Sequence, residues 1–122
     1  MNATTIKTRS RNHRKAKAIA IADATLALGR AEALQRIEAV LTKDGVALEA
    51  LRAVWPLLDA AERASRIKAM VVMGNEIIAE LEAIQPLLAG HDWELLADVL
   101  GAKRCGSHAW VEMLEYLANE LR

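Results

Sequence analysis

Leu51-Arg52-Ala53-Val54-Trp55-Pro56-Leu57-Leu58 and Leu81-Glu82-Ala83-Ile84-Gln85-Pro86-Leu87-Leu88 are two versions of one phrase. Each begins as helix-forming sequence and then meets a proline. Proline has no N–H to donate and disfavours helical geometry in the residue before it, so a helix bends or stops at each phrase. Between them lies Ala69-Met70-Val71-Val72-Met73-Gly74, the most apolar run of the chain. The reading is a long helix from about Ala60 to Gln85, buried at its middle, with a Pro-Leu-Leu corner at each end. Ile67, Met70, Val71, Gly74, Ile77, Ile78, Leu81 and Ile84 recur at helical spacing and mark its inner stripe. Asp59, with Glu62 three residues later, is a capping-box pattern that starts it. Leu57, Leu58, Leu87 and Leu88 are expected to be buried. A helical solenoid needs three or more repeats, so two copies are read as repeated corner chemistry.

The rest of the chain is also helical in pattern. Ala, Leu, Glu and Arg dominate, Phe is absent and no stretch alternates like a strand. A first helix is expected from about Ala16 to Leu41, with Ile19, Ala22, Leu26, Ala33, Ile37 and Leu41 facing inward. Lys43-Asp44-Gly45 should end it, Gly45 taking the left-handed conformation. A shorter helix would follow from Val46 to Trp55. Beyond the second corner, Asp92 is expected to cap a helix bearing Leu96, Val99 and Leu100. Ser107 is expected to cap a last one bearing Trp110, Met113, Leu114, Leu117 and Leu121. At 122 residues the chain is long enough to bury one core without staples. The fold class is therefore all-α, a compact bundle of four or five helices.

Charge is unevenly placed. The chain carries 16 cations and 16 acids, yet residues 1–17 hold six of the cations, Lys7, Arg9, Arg11, Arg14, Lys15 and Lys17, and no acid. That segment has little apolar content and should stay mobile unless a partner orders it. The division is a basic arm over residues 1–17 on an acidic helical bundle over residues 18–122. If the arm is helical, Lys7, Arg11, Arg14 and Lys15 fall at spacings of four, seven and eight, on one face. Mobile cations gain affinity for nucleic acid by releasing condensed counterions. These six residues are the candidate nucleic-acid-binding set.

Within the arm, Lys7-Thr8-Arg9-Ser10-Arg11-Asn12-His13-Arg14-Lys15 followed by Ala18-Ile19 resembles the arginine-rich RNA-binding segment of lambdoid phage N-type antitermination proteins. The resemblance covers about a tenth of the chain and rests on Lys-Thr-Arg, a later basic residue and the apolar turn after it. It implies a segment that forms a bent helix on a small RNA hairpin. It extends to no part of the helical body.

Other candidates are weaker. Lys103-Arg104-Cys105-Gly106-Ser107-His108 places a thiol beside cations, with a histidine three residues on. No oxyanion or phosphate loop accompanies it, and Cys-x-x-His supplies only two metal ligands, so an ordinary inter-helix turn is preferred. Glu76, Glu80 and Glu82 lack the Glu-x-x-His pattern of a di-iron bundle. Trp55, Trp93 and Trp110, each near a helix end, are expected to pack in the core or at corners. No cofactor, metal or catalytic residue is expected. The single Cys105 excludes an internal disulfide and fits a reducing, cytoplasmic setting. The basic start followed by Ala18–Ala22 has the first two regions of a secretory signal, but Asp23 interrupts the apolar part early.

These features lead to a small, non-enzymatic regulator from a bacterium, phage or plasmid. It would meet RNA or DNA through the arm, and a protein partner or a second copy through the bundle. The alternative is an adaptor or inhibitor acting through its acidic helical surface. Exposed apolar area beside the arm would favour the first, and on the acidic face the second.

Overall fold

The computed structural model describes residues 3–122, with side chains from Arg14 onward. Helix α1 spans Ala3–Val54, α2 Ala60–Ile84, α3 Gly90–Arg104 and α4 Trp110–Leu121, with one-turn 3₁₀ segments at Trp55–Leu57 and Gln85–Leu87. No strand occurs among the described residues. The all-α expectation holds, with four α-helices among the described residues.

Neighbouring contacts set the topology. Gly29 of α1 lies against Leu87 at the second corner, and Arg30 meets Asp92 at the start of α3 at 3.4 Å. Lys43, further along α1, reaches Glu76 and Glu80 of α2 at 3.5 and 3.3 Å. Arg122, at the end of α4, reaches back to Glu38 of α1 at 3.2 Å. The helices therefore run up, down, up and down, each packed on the next and α4 closing on α1. Their shared core includes Ala33, Ile37, Val40, Ile77, Leu81, Ile84, Leu96, Val99, Leu114 and Leu117, all 0–2 % exposed. No polar or charged side chain is buried among the described residues.

The two corners have the same backbone. At each, a 3₁₀ turn carries the proline, and the following leucine, Leu58 or Leu88, is extended and donates its N–H to the carbonyl of Trp55 or Gln85. Their surroundings differ. Leu88 is buried, while Leu57 is 82 % exposed, against the expectation that all four corner leucines are covered. The second corner has α1 and α3 against it. The first is flanked by the end of α1 and by Arg63 of α2, which bonds the Trp55 carbonyl at 3.2 and 3.1 Å and stacks over the Trp55 ring.

The capping box is formed. Asp59 Oδ1 accepts from the Glu62 N–H at 2.8 Å, and the Glu62 carboxylate accepts from the Asp59 N–H at 3.4 Å. The bond from the Glu62 N–H, the largest cause, holds the Asp59 carboxyl below its ordinary 3.8. A depressed folded-state value gives stability that is complete above 3.8 and lost as pH falls through the lower folded value. Asp59→Asn keeps an acceptor but cannot titrate there. The wild type should therefore lose more Tm than Asp59→Asn when pH drops below 3.8. Parallel Tm–pH curves for the two would contradict this.

Four local expectations need correction. Lys43-Asp44-Gly45 does not end a helix: α1 passes straight through, and Gly45 has no positive φ. Lys43 instead clamps α1 to α2 through its two glutamates. Asp92 does not cap α3, whose N-cap is Ala89; it lies in the first turn and holds Arg30. The Ser107 hydroxyl accepts from the Ala109 N–H at 3.3 Å, ahead of α4, whose own N-cap Ala109 has no side-chain cap. Finally, the run Ala69–Gly74 is not a buried middle. Val71 and Val72 are 59 % and 53 % exposed, and only Met70, Met73 and Gly74 are half-buried. The reason is length. With about 1.5 Å rise per residue, α3 and α4, at 15 and 12 residues, cover little more than half of the 25-residue α2. Above Gly74, α1 and α2 continue as a bare two-helix tip.

Candidate nucleic-acid interface

At the opposite end of the bundle, α1 departs at Gly29. An added Cβ there would sit 2.6 Å from the Leu87 carbonyl oxygen, so glycine lets α1 cross the corner backbone. Every described side chain from Arg14 to Leu28 is exposed. What favours helix here is composition: alanine is the best helix former and recurs throughout Ala16–Ala27. Thr25 satisfies its hydroxyl internally on the Ile21 carbonyl at 3.0 Å.

Arg14, Lys15 and Lys17 stand on this projecting helix. Successive helical residues are about 100° apart, so the three fan around the axis and do not form one stripe. None forms an ion pair with a described residue. The residues before them contain no acid, and Asp23 is the first in the chain. Their charge is thus turned to solvent. The side chains of Lys7, Arg9 and Arg11 lie outside the described residues, so the proposed face joining Lys7 and Arg11 to Arg14 and Lys15 does too. The backbone from Ala3 to Lys17 belongs to the same α1 helix.

Next to the cations lies apolar surface. Ile19, Ile21, Leu26 and Leu28 are all exposed, although Ile19 and Leu26 were expected to face a core. Packing of α1 begins only near Gly29, and Ala33 is its first buried residue. Periodicity reported a helix there but not whether anything lies against it.

The cysteine turn is arranged for chain reversal. Gly106, at φ +75°, follows the end of α3. The Ser107 N–H bonds the Ala102 carbonyl at 2.9 Å and the Gly106 N–H bonds that of Lys103 at 3.1 Å, a Schellman closure. Cys105 is exposed at the helix's C-terminal end, as is His108 in the turn, and no group of three or more metal-ligating side chains occurs among the described residues. Cys105→Ser should therefore leave Tm unchanged; a substantial loss would give the thiol a structural role that its exposure does not.

Sequence reasoning missed a groove of about 630 Å³ beside this turn, where Asp44 and Leu48 of α1, Met70 and Met73 of α2, Lys103 and Trp110 converge. The Lys103 ammonium lies 4.0 Å from the centre of the Trp110 ring. Burial lowers its pKa from the ordinary 10.5, and Asp44 acts in the opposite sense. Trp110 is the one tryptophan in the core; Trp55 is half-buried and Trp93 exposed. No spacing links Asp44 to Lys103 across 59 positions, so only the tertiary fold discloses the groove.

No helix among the described residues is long and apolar enough to cross a membrane. No family model matches the chain, and neither a curated protein nor a solved structure matches it.

Proposed function

We propose that the chain is a small non-enzymatic regulator that associates with nucleic acid through the basic start of α1. The observation that carries this reading is the projection of Arg14, Lys15 and Lys17 from the bundle on an exposed helix, without carboxylate partners among the described residues. Lys7, Arg9 and Arg11 precede them in sequence and complete the set. Such cations exchange condensed counterions for phosphate contacts. The exposed apolar residues Ile19, Ile21, Leu26 and Leu28 adjoin the arm, as this reading expects, while exposed Ile67 and Val71 lie on the body near Asp44, Glu112 and Glu115, where the adaptor reading would have them. The resemblance of residues 7–19 to the N-type segment favours a structured RNA hairpin over a single strand of equal length. The helical body serves contact with protein, another copy included.

The test is the salt dependence of binding. Six phosphate contacts set the steepest log–log slopes at roughly −4 on single strands and −5 on duplex DNA. Replacing Arg11, Arg14 and Lys15 together with alanine should lower both affinity and slope. Tm should hardly change, because Arg14 and Lys15 lie outside the core. An unchanged slope in the triple variant would place binding elsewhere, and no binding to either RNA or DNA at low salt would end the proposal.

A further inference from the structure

We propose that the uncovered tip of the α1–α2 hairpin is the interface for a second copy of this chain. The two copies pack antiparallel about a two-fold axis, so that two tips complete one four-helix bundle. This names the protein contact of the function proposed above but does not require that the arm bind nucleic acid.

The first argument is the continuity of the covered layer. On α2, Ile67, Val71, Gly74, Ile78 and Glu82 recur at spacings of four, three, four and four, along one face. Lower on this face α3 is present: Arg104 pairs with Glu82, and the Lys103 ammonium lies 3.7 Å from the place of a Cβ on Gly74. One and two turns higher the cover stops, and Val71 and Ile67 are exposed. On α1 the groove beside Trp110 continues past Leu48 and Arg52 into a mainly apolar hollow between Leu51, Trp55 and Ile67. What would continue the bundle is a pair of antiparallel helices about three turns long. The tip of another copy is such a pair.

The second argument is charge. The base of the uncovered face carries Asp44, Glu112 and Glu115, against Lys103. Its far end carries Arg52 and Arg63 beside the charged N-cap Asp59, while Glu62 lies about 140° round α2 from Ile67, off this face. A two-fold axis across the hairpin lays each basic end on the other copy's acidic base. Parallel packing would set like on like. Isologous contact of this kind closes at two copies. Three turns from each of two helices give an interface at the low end of the specific range, about 1,200 Å² in total. The dimer should therefore dissociate on dilution.

Sedimentation of the full chain, nuclease-treated, across a wide concentration range tests this. The expected result is a monomer–dimer equilibrium. Val71→Arg, which sets like charges together near the axis, should weaken it about tenfold or more. Because Val71 is exposed in the single chain, Tm of the dilute protein should not move. The Arg11, Arg14 and Lys15 triple-alanine variant should dimerise as the wild type does, which separates this proposal from the nucleic-acid reading. In a Cys105→Ser background, Ile67→Cys, close to the axis, should oxidise to a symmetric disulfide faster than Val72→Cys, which lies about 140° round the helix from it. A monomer at every concentration, a dimer indifferent to Val71→Arg, loss of the dimer in the triple-alanine variant, or equal crosslinking at the two positions would each overturn the proposal.

Discussion

Leu88→Ala is expected to cost about 2–5 kcal/mol, as buried leucine truncations do, whereas Leu57→Ala should leave the dilute monomer within about 0.5 kcal/mol of the wild type. The two residues belong to corners with the same sequence phrase and the same backbone. They differ in what lies on them. Leu88 is 6 % exposed and joins the core cluster of Ile84, Leu96 and Leu117; Leu57 is 82 % exposed. Denaturant midpoints at unchanged m would measure both. Equal losses would mean that the first corner is covered in the monomer and that the tip is not bare.

The second large contrast is between two glycines of α1. Gly29→Ala puts a methyl group 2.6 Å from the Leu87 carbonyl oxygen, a backbone atom that cannot swing aside. Overpacking of this kind costs about 1–3 kcal/mol, which outweighs the roughly 0.5–1 kcal/mol that alanine gains over glycine inside a helix. Gly45→Ala meets nothing within 4 Å. It should show only the helix gain and raise stability. Were Gly45 the left-handed end of a helix, the same change would destabilise. The sign at position 45 therefore decides between a continuous α1 and a break after Leu41.

These contrasts also show how much of the fold the residues disclose. Pro56, Pro86 and the pair Asp59 and Glu62 act through bonds within a few residues, so the corners and the start of α2 were legible. The stripe Ile77, Leu81 and Ile84 was legible for the same local reason. Gly45 was misread because a glycine after Lys-Asp looks like a stop. Whether it stops a helix depends on the tertiary fold: Ile37 and Val40 before it are buried in the core, and Lys43 reaches Glu76 and Glu80 of α2, more than thirty residues away. Ile19, Leu26, Ile67 and Val71 were read as core because apolar spacing gives the direction of a face and not its cover. Of the candidate site, the cations were legible as a charge cluster. Their position on a helix projecting beyond the bundle depends on Gly29 and the Leu87 carbonyl, a tertiary contact.

The most direct test of the proposed function is recovery of the intact protein from its native host at low salt, with and without nuclease. The account predicts that nucleic acid elutes with the protein, that nuclease removes it, and that the Arg11, Arg14 and Lys15 triple-alanine variant loses it without nuclease. Recovery free of nucleic acid, together with a different protein that stays bound after nuclease treatment, would contradict the account and favour the adaptor reading.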